Sequence, residues 1–261
     1  MLFSRKALVV LMAAALSGGC SASTLSFWAS AGFWEPEVET LLDKGNSVAR
    51  LDLQGDLGMT DDPGSVMAAD FSITDSGNRA RPAGRYNFSF WKFNLRNTQD
   101  VGAGFAFDNK SYLGTVKSRF TATDYVFTGE APQRTQTNQY AGGIFGVHLL
   151  NVELTLQEIP TGDSSEMSKW IPMPVVGVRY EAKLGNQMSA YGLIEIMDLA
   201  IFDIESFDAA FYHIDAGLRL DMARNFSIAG GYKTWQFKVG LDEDYVKMDM
   251  DGATLTFQVR W

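Results

Sequence analysis

The sequence predicts an all-β fold, a closed antiparallel up-and-down transmembrane β-barrel of ten strands, and three observations lead there. Segment after segment alternates apolar and polar residues with period two. The connections between those segments alternate between short and long. Beyond the first 22 residues no helical period emerges, and no apolar run reaches the ~20 residues of a membrane helix. The chain has 261 residues, 46% hydrophobic and only 20% charged, which excludes a disordered chain. Its 22 basic and 31 acidic side chains give a charge of -9, which argues against a nucleic-acid partner. A single cysteine excludes a disulfide framework and a cysteine-rich zinc site. With 25 Gly and 13% aromatic residues, the composition fits short strands, tight turns and many rings at a boundary.

Residues 1–22 read as an export signal. Arg5 and Lys6 precede an unbroken apolar stretch from Ala7 to Leu16, and small residues follow from Ser17 to Ala22. Cys20-Ser21-Ala22 places small residues where signal peptidase reads, so cleavage before Ser23 is preferred. The alternative is a lipobox at Leu16-Ser17-Gly18-Gly19-Cys20 with Cys20 acylated, although Leu16 sits one place too early. Cleavage removes Arg5 and Lys6 and leaves 20 basic against 31 acidic residues, a charge of -11. Residues 23–261 then form a single barrel domain.

Each strand is justified by its pattern. At 25–35, Leu25, Phe27, Ala29, Ala31 and Phe33 alternate with Ser26, Trp28, Ser30, Gly32 and Trp34. Segments 66–73 and 152–157 alternate likewise. In 84–95 the apolar phase slips between Phe90 and Trp91, which predicts a bulge, and 226–240 slips before Trp235. Segment 135–148 is Gly-rich and ambiguous. Val176, Val178, Tyr180, Ala182 and Leu184 alternate with Gly177, Arg179, Glu181 and Lys183. Tyr212, Ile214, Ala216, Leu218, Leu220 and Met222 alternate with His213, Asp215, Gly217, Arg219 and Asp221. At the end of the chain, Leu255, Phe257, Val259 and Trp261 alternate with Thr254, Thr256, Gln258 and Arg260.

The predicted strands lie at 25–35, 65–74, 84–95, 135–148, 151–159, 172–184, 188–199, 209–222, 226–240 and 252–261. Leu149-Leu150, Gly185-Asn186-Gln187, Ala223-Arg224-Asn225 and the Asp75-Ser76-Gly77-Asn78 turn fall on one side. The longer connections, including 36–64 and 96–134, fall on the other, as periplasmic turns and external loops do. Within 96–134, residues 110–128 are expected to extend a strand or form a small external hairpin. Ten strands return both termini to one side; eight is the alternative. Alternation alone also fits a soluble exported β-domain. The charged faces of 176–184 and 212–222 favour a barrel with apolar side chains facing lipid and polar ones closing on the axis.

These features resemble small Gram-negative outer-membrane β-barrel proteins. The resemblance implies an integral outer-membrane location and export through the periplasm. It also implies contact with outer-membrane lipid and lipopolysaccharide. The C-terminal strand, with Leu255, Phe257, Val259 and Trp261, would serve as the signal read by the outer-membrane assembly machinery. A monomer is expected.

Chemistry is sparse. His213 and Asp215 share a face about 7 Å apart, which could make an acid–base pair for a lipid-modifying enzyme. No serine nucleophile accompanies either histidine in a recognisable motif, so no catalytic residue and no enzymatic activity are expected. Arg179, Glu181, Lys183, His213, Asp215, Arg219 and Asp221 read instead as a polar network filling a narrow lumen. A charged constriction in a narrow, porin-like pore for small solutes is the alternative. His148 is placed at a turn, on the surface. The acidic segment 241–251, with Asp242, Glu243, Asp244, Asp249 and Asp251 against Lys247, is a weak divalent-cation candidate without EF-hand spacing. No metal and no cofactor are expected. Gly102-Ala103-Gly104 lacks the Lys-Ser/Thr of a nucleotide loop. Trp28, Trp91, Trp235 and Trp261 are read as interfacial girdle residues. The leading expectation is a structural or envelope-interaction role.

Overall fold

The computed structural model describes residues 25–44, 50–60, 66–75, 84–102, 104–136, 138–159, 161–198, 207–241 and 244–261. The export signal with Cys20, residues 76–78 of the predicted turn, and Asp242 and Glu243 lie outside the described residues. Ten long strands close a barrel. They are β1 (Leu25–Asp43), β3 (Val66–Asp75), β4 (Gly84–Asp100), β7 (Thr115–Gln136), β8 (Gln139–Glu158), β9 (Ser164–Lys183), β10 (Met188–Asp198), β11 (Phe207–Ala223), β12 (Phe226–Leu241) and β13 (Asp244–Arg260). Three short strands, β2 (Leu51–Asp52), β5 (Phe105–Phe107) and β6 (Lys110–Tyr112), sit at the loop end. Every long strand pairs antiparallel with the next long strand, and β13 returns to β1 from Trp28↔Arg260 to Asp43↔Tyr245. Leu25, Trp261 and the tight turns at 184–187 and 224–225 share one end, the periplasmic end by the loop-length rule.

The strand number is as expected, but two strand assignments differ. Residues 139–158 form one 20-residue strand, so there is no turn at Leu149-Leu150. The tenth strand is β7, which lies inside the predicted external loop 96–134. That region holds the end of β4, the hairpin β5–β6 and then β7. Residues 36–43 of the other predicted loop continue β1. The sequence reading missed β7 because its apolar and polar faces change places midway, near Asp124, and cancel the alternation signal.

This inversion runs around the barrel. Near the periplasmic end, Phe88, Phe127, Phe145, Val176, Val178, Leu218 and Leu220 are exposed on the outer wall. Near the loop end the apolar residues turn inward. Val38 and Leu42 of β1, Phe93 and Leu95 of β4, Phe120 of β7, Leu154 of β8, Met173 of β9 and Phe237 of β12 are buried in one cluster. The outward positions there are polar, among them Lys92, Arg96, Lys117, Arg119, Glu153 and Glu166. Phe33, Phe90, Tyr125, Trp170, Tyr212 and Tyr232 mark the outer wall where the two patterns meet. The pairings of β4 and β12 run through Phe90/Trp91 and Trp235 without a shift, so neither predicted bulge exists. The change of phase is the level at which lipid gives way to water. Strands of 20 residues reach past the hydrocarbon, because about 9–11 residues suffice to cross it.

The expectation of apolar-out, polar-in therefore holds only for the membrane-embedded half. It follows that Trp91 and Trp235, 4% and 1% exposed, are not girdle residues but meet edge-to-face inside the barrel, centroids 5.3 Å apart. Trp28 also faces the lumen, while Trp261 stacks on Phe27 at the barrel seam. Leu51, Leu53, Leu57 and Met59 fold back into the buried cluster, held where the Asn97 side-chain amide donates to the Leu57 and Gly58 carbonyls. Phe107 and Tyr112 of the hairpin add to it. Lys44 pairs with Asp108 at 3.0 Å, and the Leu113 N–H donates to Glu158 at 2.8 Å, tying the hairpin to the strand ends.

Candidate functional site in the barrel lumen

Below the apolar layer, odd-numbered residues of β9 and β11 face the axis and carry charge. Glu181 lies among three guanidinium groups: Arg219 at 3.1 Å, Arg85 at 3.7 Å and Arg179 at 3.9 Å. Arg179 also reaches Glu130 at 3.4 Å, and the Tyr140 hydroxyl donates to Glu130 at 2.6 Å. Charges removed from water need partners with good geometry, and these five charged groups supply them to one another across four strands. Arg85, Arg179, Glu181 and Arg219 line a cavity of about 160 Å³.

A second constellation sits higher, against the apolar layer. Asp124 Oδ2 and His148 Nδ1 are 2.7 Å apart, His148 Nε2 is 3.5 Å from Glu195 Oε2, and that oxygen is 2.7 Å from His213 Nδ1. All four residues are buried. They come from β7, β8, β10 and β11. Glu195 reaches toward β8 over β9 because its neighbour across the pairing is Gly177. A Cβ at Gly177 would stand 2.2 Å from the Ile194 carbonyl oxygen and 3.1 Å from the Glu195 side chain. Phe211 packs on the His148 ring at 4.6 Å and seals the upper side.

Of the residues expected in the lumen, Arg179, Glu181, His213, Asp215 and Arg219 line the cavity. Lys183 is exposed at the periplasmic rim, and Asp221, with half its side chain accessible, stands 3.8 Å from Arg219 there. The rim vestibule of about 490 Å³ also has Arg224 and Arg260 on its wall. His148 is not a surface residue; it is 2% exposed, since its strand continues through the predicted turn. The acidic segment 241–251 is not one loop. Asp244 begins β13 beside Lys169, while Asp249 and Asp251 lie on the outer wall opposite Glu39 and Glu37 of β1. Leu255, Phe257 and Val259 sit on that wall near the periplasmic end, where β13 closes the barrel. The sequence reading missed Arg85, Asp124, Glu130 and Glu195. The available signal was a lone charge on an otherwise apolar inward face, as with Glu195 between Leu193 and Met197.

Known structures share this architecture. The outer membrane protease OmpT of Escherichia coli aligns over 95% of this chain and 100% of its own, with a TM-score of 0.53 and 7% identity. This chain folds as an outer-membrane β-barrel. The attachment invasion locus protein Ail of Yersinia pestis aligns with a TM-score of 0.34 and 14% identity, covering 89% of this chain and 98% of its own. The translocator domain of autotransporter NalP from Neisseria meningitidis gives 0.41 and 10%, covering 98% and 94%. At such identities the likeness extends to the fold alone. No protein-family model and no curated protein matches the sequence.

Proposed function

We propose that the chain is a monomeric, non-conducting barrel of the outer membrane whose upper half stands clear of the lipid as a platform for envelope interactions. The observation that carries this reading is the apolar layer. Trp34, Trp91, Phe120, Phe211, Trp235 and Phe237 are buried where a pore would need water-lined walls. Below it the guanidinium–carboxylate network narrows the bore to a small cavity that ends at the apolar layer. Planar-bilayer recordings test the reading: the protein is expected to stay electrically silent, and stepwise, reproducible openings would overturn it.

Outer-leaflet lipopolysaccharide is the envelope partner that the outer wall favours. Lys92 is exposed just above Phe90, and Arg96, Lys117 and Arg119 continue this basic strip up the projecting wall, with Arg96 directly across from Arg119. Like charges opposed on a sheet repel unless an anion lies between them. Anionic groups of the lipopolysaccharide saccharide region, which extends above the bilayer, supply one. Replacing Arg96 and Arg119 by Gln is expected to lower the lipopolysaccharide that co-purifies with the barrel. The terminal strand with Leu255, Phe257, Val259 and Trp261 acts as the assembly signal on this reading, so deleting Trp261 is expected to reduce the folded fraction in membranes. No covalent chemistry is assigned to His213. A His213→Ala strain with an altered lipid profile would reopen the lipid-modifying alternative.

A further inference from the structure

We propose that His148, Glu195 and His213 form a binding site for a divalent transition-metal ion of the Zn²⁺ class, with Asp124 orienting His148 from behind. One ligand atom from each of the three residues lies within 4.8 Å of the others. A tetrahedral Zn²⁺ with bonds of about 2.0–2.1 Å separates its ligand atoms by about 3.4 Å, and His148 Nε2 stands 3.5 Å from Glu195 Oε2.

The surrounding chemistry is that of a ligand set. Asp124 accepts from His148 Nδ1 at 2.7 Å, which leaves Nε2 of a neutral ring as a lone-pair donor on the Glu195 side. A carboxylate behind a ligating imidazole is the usual outer-shell arrangement of zinc sites. His148 Nε2 and His213 Nε2 are both buried without a hydrogen-bond partner. A metal needs both imidazoles in their lone-pair form, and the two carboxylates beside them then carry a charge that one divalent cation cancels. Three protein ligands leave a fourth position, and all three residues border the lumenal cavity. That cavity shares Trp28, Arg219 and Gln258 with the vestibule at the tight-turn end, so the ion enters from the periplasm. Bound there, it joins β8, β10 and β11 beneath the apolar layer.

The chain has two histidines in all, so a two-imidazole coordination shell has a single possible origin. The test uses the tag-free full chain, folded in detergent, with folding followed by the shift in electrophoretic migration on boiling. Zn²⁺ alone is added, excess is removed by dialysis, and bound metal is counted by mass spectrometry. One equivalent is expected, with two imidazole nitrogens in the Zn X-ray absorption spectrum. Glu195→Gln and His213→Gln are each expected to reduce retained metal to under about a tenth of an equivalent. Asp124→Asn is expected to weaken binding by about 10–100-fold. A folded wild-type barrel that retains no Zn²⁺ overturns the proposal, as does an all-oxygen coordination shell or equal retention by the variants. Should a variant fail to fold, the wild-type absorption spectrum decides alone. None of these readouts depends on whether the barrel conducts.

Discussion

The two halves of this barrel are built from the same strands and obey opposite rules. Between the periplasmic turns and the aromatic ring at Phe90, Tyr125 and Tyr212, the solvent outside is hydrocarbon. Val176, Val178 and Leu218 face it, and Arg85, Arg179, Glu181 and Arg219 are driven inward, where they pair. Above the ring the solvent is water. Lys117, Arg119 and Glu153 now face out, and Phe120, Leu154 and Phe237 fill the bore as they would in a soluble protein. Hydrogen bonding along the strands is continuous across the boundary. The backbone therefore does not record the change of medium; only the choice of side chains does. The buried Asp124–His148–Glu195–His213 chain lies where the polar bore meets the apolar packing.

Single substitutions should separate the halves. The largest effects are expected inside, for different reasons. Trp235→Ala removes a ring from the upper packing and should cost about 3–5 kcal/mol of unfolding free energy in vesicles. Glu181→Gln leaves three guanidinium groups short of a counter-charge and should cost a similar ~3–5 kcal/mol. If Glu181→Gln were neutral, the lower network would be solvated and the contrast would fail. The outer wall gives the next largest effect. Leu218→Arg, toward the lipid, should cost about 2–4 kcal/mol, while Thr155→Arg, on the projecting wall, should stay within about 0.5 kcal/mol. Equal penalties in the same unfolding titration would mean that the upper wall is also in lipid. The smallest effect is on pH dependence. The hydrogen bond from Lys247 to Asp249, above the membrane, holds the lysine pKa above its ordinary 10.5. A raised lysine pKa stabilises in full below the unfolded value and is lost as pH climbs through the folded one. The stability difference between wild type and Lys247→Met is therefore expected to stay flat from about pH 6 to 9 and to shrink above ~10.5.

The strands most legible in the sequence were those whose outer face stays in one medium. The segment from Tyr212 to Met222 alternates cleanly because its outward residues all meet lipid, and it lies within β11 with His213 and Arg219 on the inner face as the alternation predicts. Strands that cross the boundary were misread. The Phe90/Trp91 step looked like a bulge, β7 looked like a loop, and Leu149-Leu150 looked like a turn. Each contains an inversion of burial that local pattern cannot tell from a break. The lumenal charges were visible on β9 and β11 as polar residues facing an apolar side. Glu195, Asp124 and His148 were not, because nothing local links residues 71 positions apart.

Period two and the scarcity of histidine were set by the sequence alone, and they determine an antiparallel barrel; the count of ten held because splitting 139–158 in two offset the omission of β7. Which face of each strand is buried at a given height was decided only by closure of the sheet. Closure fixes the level at which the medium outside changes, and it brings strands distant in the chain to a common axis. There two imidazoles and two carboxylates meet, an encounter that no one-dimensional pattern encodes.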